Sequence, residues 1–125
     1  MKITIYETFP ENPSNPACTN MQTGEIEINK SAFDLLPSYA QEFVIHHEVG
    51  HYRLQTSDEC KADDFALSKM ALKKEFSLKH HVDSVYMLAR DDERRKKHAL
   101  ISVLKVMAKL GDRKAIEILK NGNHG

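Results

Sequence analysis

The sequence predicts an α+β chain in which a short N-terminal β-sheet leads into a long helical remainder. Three observations predict it: period-two apolar alternation in two segments before residue 30, apolar residues recurring every three or four positions from residue 39 onward, and prolines confined to positions 10, 13, 16 and 37. A length of 125 residues suffices for one hydrophobic core and falls short of two, so a single domain over 1–125 is expected.

Residues 2–8 alternate Ile3 and Ile5 with polar neighbours and read as a strand. Pro10, Pro13 and Pro16 with Asn12, Ser14 and Asn15 then favour turns, so 9–21 is expected to be irregular. Gly24 opens a second strand, where Ile26 and Ile28 face a core and Glu25 and Glu27 face water. Ser31 is expected to cap a short turn carrying Ala32, Phe33, Leu35 and Leu36, ended by Pro37. Ser38 and Gln41 have the spacing of a capping box, which predicts a helix from Tyr39 to about Leu54. Thr56 to Asp58 offer caps for another helix, expected to run to about Phe76 with Ala62, Phe65, Ala66 and Met70 on one face. Beyond Ser77, Val82, Val85, Tyr86 and Ala89 form one stripe, and Leu100, Val103, Leu104 and Met107 form another that Gly111 ends. A last short helix holds Ala115, Ile116 and Leu119.

Hydrophobic residues make up 41% and charged residues 29%, which excludes the disordered and fibrous classes. Eighteen basic residues balance eighteen acidic ones, so no net field favours nucleic acid or an anionic membrane, and neither is expected as a partner. The first residues lack a secretory apolar core and no stretch has the ~20 apolar residues of a membrane span, so a cytoplasmic protein is expected. Cys18 and Cys60 are too few for a disulfide framework and are expected to be reduced.

The chemistry concentrates in His47-Glu48-Val49-Gly50-His51, an H-E-x-x-H pattern on the predicted helix from Tyr39. Residues four apart stack on one helical face, so both imidazoles can reach one ion while Glu48 stands beside them to take a proton from water. Zinc brings the pKa of such a water toward ~7, and hydrolysis of an amide bond is the reaction expected of the set. A glycine inside a helix costs ~1 kcal/mol relative to alanine, so Gly50 suggests close approach of another element at the metal site. Catalytic zinc takes three protein ligands as a rule, and Glu59, eight residues after His51 across a tight turn at 55–58, is the expected third. Asp63, four residues further on the same face, is placed to orient a ligand histidine.

His47-Glu48-Val49-Gly50-His51 followed by Glu59-Cys60-Lys61-Ala62-Asp63-Asp64-Phe65-Ala66 resembles the gluzincin metallopeptidases, most of all the ImmA/IrrE-type peptidases and minimal stand-alone gluzincins. The resemblance implies a small zincin-like fold with an active-site helix and a mainly helical C-terminal half. It also implies one zinc ion on His47, His51 and Glu59, Glu48 as general base, Asp63 orienting a histidine, and a peptide or protein substrate. Enzymes with a third histidine soon after the motif are disfavoured, because the next histidine is His80.

Plainer readings stand beside these. Thr56 and Glu59 also have capping-box spacing, in which case Asp63 becomes the fallback ligand. His46 points about 100° from His47 and is expected outside the site. His80, His81 and Tyr86 are read as ordinary helix residues before donors to a reaction intermediate, and Cys60 as facing away from the metal. The run from Arg90 to Lys97 is expected to be a solvated helix start with acids first, and the stripe from Leu100 to Met107 core or a dimer contact. The strand at 24–29 is expected to align an extended substrate by edge pairing. The rival functions are a non-catalytic or latent zinc protein of the same fold and a metal-free helical interaction module.

Overall fold

The computed structural model describes residues 2–74 and 76–121 and has an α+β fold. Its strands are β1 (Ile3–Tyr6), β2 (Ala17–Thr19) and β3 (Ile26–Asn29), and its helices α1 (Lys30–Phe33), α2 (Ser38–Leu54), α3 (Glu59–Met70), α4 (Leu78–Ala89), α5 (Glu93–Lys109) and α6 (Arg113–Asn121). The sheet order is β1-β3-β2. β1 runs parallel to β3 with Ile3 opposite Ile26, and β2 runs antiparallel to it with Cys18 opposite Glu27. None of the described helices is long and apolar enough to cross a membrane.

β3 follows its alternation: Ile26 and Ile28 are buried. They pack with Ala17, with Phe43 and Val44 of α2, with Ala66 of α3, and with Val85, Ala89 and Ala99 further on. β1 has the same pattern without the burial, since Ile3 and Ile5 are 49% and 66% exposed.

Two expectations about the sheet need correction. The segment 9–21 is not wholly irregular, because β2 lies inside it, and β3 offers no free edge for a substrate because it is the central strand. The cause is Asn29, fully buried at the end of β3. Its side-chain amide donates to the Pro13 and Asn15 carbonyls at 3.0 and 2.9 Å, and its backbone N–H donates to Pro16 at 2.8 Å. That grip lays the proline-rich segment along β3 and brings Ala17–Thr19 into register. The free edge next to the helices therefore belongs to β2.

The expected caps also shift. Asn29 precedes α1, so Ser31 lies inside that helix and donates instead to Asn29 Oδ1 at 2.8 Å. Pro37, extended at φ −64 and ψ 158, takes the cap position of α2, and no Ser38–Gln41 box forms. Gln41 turns back to donate to the Phe33 and Leu36 carbonyls at 3.1 and 3.2 Å, satisfying orphan acceptors around the end of α1. α3 stops at Met70, short of Phe76, because the backbone tightens into three-residue turns from Leu72 to Lys69 and from Lys73 to Met70. On α5 the buried face runs through Ala99, Ser102 and Val103, leaving Leu100 44% exposed. Gly111 does end that helix, at φ +92.

α2 is the element on which the rest assembles, lying against β2, β3, α3 and α4. Gly50 marks its closest approach to α3: a Cβ there would sit 2.9 Å from Phe65 Cβ and 3.0 Å from its ring carbons. The approach inferred from the sequence is thus a helix crossing. Gly50→Val, whose clash with Phe65 outweighs its small gain in helix propensity over glycine, should lower stability by about 1–3 kcal/mol in urea unfolding. An unchanged midpoint would contradict the crossing.

His81 is 2% exposed, edge-on to Phe43 at 5.4 Å, and neither ring nitrogen has a hydrogen-bond partner among the described residues. Burial pushes its pKa down to about 4, against the pull of Asp63 and Asp64. In the unfolded chain the ring titrates near ~6.5. Above that pH neither state holds the proton, whereas below it the unfolded chain binds the proton first and stability falls as pH drops toward 4. The loss should approach about 3 kcal/mol by pH 4. His81→Phe should remove that share of the acid sensitivity in denaturant melts at pH 7 and pH 4, and an equal acid loss in both proteins would sink the assignment.

Candidate metal centre

α2 sets His47 and His51 one turn apart with their Nε2 atoms 3.1 Å from each other. Each outer nitrogen is already engaged. His47 Nδ1 donates to Asp63 Oδ1 at 2.8 Å, and His51 Nδ1 donates to the Thr56 carbonyl at 2.8 Å. With the proton on Nδ1 in both rings, both Nε2 lone pairs face the same point.

The third donor arrives through the turn after α2. Gln55 ends the helix in the left-handed region at φ 47, and Thr56 N–H returns to the His51 carbonyl at 3.1 Å. α3 then starts on Asp58, whose carboxylate accepts from Cys60 N–H at 2.8 Å. Asp58 holds the cap, so the Thr56–Glu59 capping box is not formed and the Glu59 side chain turns inward. Its Oε1 lies 2.6 Å from His51 Nε2 and 3.5 Å from His47 Nε2. The donor atoms of His47, His51 and Glu59 all lie within 4.8 Å of one another, a group able to hold a metal ion.

The electrostatics agree with a cation site. Burial alone would lower the His47 pKa, but hydrogen bonds to Asp63 and Glu59 outweigh it and raise it to about 9. For Glu59 burial pushes the pKa up, while bonds to His47 and His51 hold it well below the usual carboxylate range. A metal-free cluster thus retains a proton between imidazole and carboxylate, and an entering cation takes that proton's place.

Glu48 is 8% exposed, with Oε2 3.9 Å from His47 Nε2. Its Oε1 accepts from the Thr19 hydroxyl at 2.6 Å, and the same hydroxyl lies 2.9 Å from the Glu48 backbone carbonyl. Burial raises the Glu48 pKa, opposed by His47 and by the Thr19 bond. A raised carboxyl pKa makes a stronger proton acceptor. Thr19 was hidden in the sequence, because the three residues Ala17-Cys18-Thr19 between prolines and asparagines carry almost no strand signal.

Arg95 was hidden too. The run from Arg90 to Lys97 does begin α5 with an acidic cap, Asp92 accepting from Arg95 N–H at 3.1 Å, yet it is not wholly solvated. Arg95 is 7% exposed and grips Asp63 with both arms, Nε to Oδ2 at 2.9 Å and Nη2 to Oδ1 at 2.8 Å, while Nη1 reaches Glu59 Oε2 at 3.3 Å. Helical periodicity locates buried apolar faces, and it passes over a charge whose partner is a buried carboxylate.

The other candidates stay outside. His80 stacks on Tyr39 at 4.1 Å, and Tyr86 sits beneath the Lys96 ammonium at 5.5 Å. His46 and Cys60 are not in the ligand group, and both cysteines are free. Two cavities meet at Glu59 and Asn15. One of about 310 Å³ is walled by β2, Glu48 and His51, and one of about 940 Å³ lies between the 12–16 loop, α1 and the α4–α5 turn.

No family model matches the chain, and no curated protein or solved structure matches it either. Asp63 is the test of the site's geometry, because it serves His47 and Arg95 together. Asp63→Ala should weaken metal binding about ten- to a hundredfold in chelator competition. It should also cost about 3–5 kcal/mol in unfolding by leaving a buried guanidinium unpaired. Unaltered metal affinity would remove Asp63 from the centre.

Proposed function

We propose that the chain is a zincin-type zinc metallopeptidase, with one zinc ion on His47, His51 and Glu59 and with Glu48 as general base. One observation carries the reading: His47 Nε2, His51 Nε2 and Glu59 Oε1 face one another at 3.1, 2.6 and 3.5 Å while both Nδ1 atoms are engaged elsewhere. Bonds of ~2.0–2.1 Å in a tetrahedron separate neighbouring donors by ~3.3–3.4 Å. Two of the three separations lie close to that span, and the shortest, a hydrogen bond of 2.6 Å without the ion, would have to open by about 0.7–0.8 Å. Two imidazoles and a carboxylate are also a donor set of catalytic zinc, whereas structural sites are richer in thiolate.

Zinc in this position supplies a Lewis acid that brings the pKa of water toward ~7 and polarises a carbonyl. The chain's own groups do the rest. Thr19 holds Oε1 of Glu48, which leaves Oε2, on the His47 side, to accept the proton of a water attacking the carbonyl carbon and to return it to the departing amine. An extended substrate would lie along β2. Asn29 donates to Pro16 and Asn20 donates to Glu25, so by antiparallel alternation Ala17 and Thr19 turn their backbone groups to the free edge, beside the 310 Å³ cavity.

A non-catalytic zinc protein with the same ligands is the second reading, favoured by one detail: Thr19 already occupies one oxygen of Glu48. The two readings part in a single experiment. Purified protein should contain one zinc per chain and cleave members of a peptide library, and Glu48→Gln should keep the zinc while cleavage falls about 100- to 10,000-fold. Full cleavage by Glu48→Gln would refute the base, and stoichiometric zinc without any cleavage by the natural sequence would favour the second reading.

A further inference from the structure

We propose that Arg95 is a positioning residue that keeps Glu59 a one-oxygen ligand. This rests on the metal-centre reading above and deepens it. A carboxylate can chelate an ion through both oxygens, and doing so takes up room that a catalytic site keeps for water. Packing does not prevent that here, because the Glu59 side chain is 43% exposed, stands on the first turn of α3 and borders both cavities. The restraint comes from α5.

Glu59 Oε1 faces the two Nε2 atoms, whereas Oε2 accepts from Arg95 Nη1 at 3.3 Å. The guanidinium is itself immobile: two arms lie on Asp63 at 2.9 and 2.8 Å, and Asp63 is fully buried and bonded to His47 Nδ1. One planar cation therefore fixes the spare oxygen of one ligand and the hydrogen-bond partner of another. The fork is essential to this, because a lysine ammonium is a point donor and cannot span both Asp63 oxygens and Glu59 at once.

Cobalt(II) in place of zinc reads ligand number directly, through the intensity of its visible bands. The chain loaded with cobalt should show the intense bands of a four-coordinate ion. In Arg95→Met, and equally in Arg95→Lys, those bands should lose intensity as Glu59 Oε2 joins the coordination, with circular dichroism confirming that the helices persist. Arg95→Lys keeps the positive charge opposite Asp63 and guards against a variant that fails to fold. Wild-type intensity in Arg95→Lys would show that charge alone suffices and would overturn the proposal. Weak, high-coordinate bands in the natural sequence would overturn it whatever the variants do. Failure of the natural sequence to take up either cobalt or zinc would overturn the metal centre and this inference together, an outcome distinct from normal uptake with an unchanged variant spectrum.

Discussion

Two imidazole Nε2 atoms 3.1 Å apart, with both Nδ1 protons committed elsewhere, would turn lone pairs on each other and repel unless a proton or a cation is held there. The rest of the site depends on that constraint. Helical geometry brings the rings together, and the Nδ1 bonds to Asp63 and the Thr56 carbonyl prevent either ring from rotating to relieve the repulsion. Glu59 adds a negative oxygen to the same point. A cation could satisfy all three donors at once, and without one a proton shared with Glu59 holds the cluster together.

Each supporting element meets this demand in a different way. α3 comes close enough to α2 because Gly50 leaves room for Phe65, and the turn after α2 is so short that its own Thr56 carbonyl orients His51. On the opposite side Asn29 fastens the proline-rich segment, so that β2 lies along β3 and Thr19 reaches Glu48. The sheet thus holds Glu48, and the helices hold His47, His51 and Glu59.

The sequence was legible where chemistry follows local spacing. His47, Glu48, His51, Glu59 and Asp63 all stand on α2 or the first turns of α3, where intervals of four residues and one short turn determine which side chains meet. The alternation of Ile26 and Ile28 likewise marked the buried face of β3. Thr19 and Arg95 were not legible. Thr19 meets Glu48 29 residues away in sequence, and Arg95 meets Asp63 32 residues away. The first lies in a segment that becomes a strand only because a neighbour's amide holds it, and the second in a charge run whose inward member has the same residue type as its solvated neighbour Arg94. The Ser38–Gln41 capping box misled because Pro37 took the cap position, whereas Asp58, within the expected Thr56 to Asp58 caps, does start α3.

The distance along the chain between Asp63 and Arg95 bears on how the molecule comes into being. During synthesis α2 and α3 emerge well before α5, so a nascent chain carries Asp63 without its countercharge. The pairs of Arg95 with Asp63 and Glu59 form only when α5 docks, a contact of long sequence separation that carries a chain-closure entropy. Any product ending before α5 would therefore lack the guanidinium that joins Asp63 to Glu59.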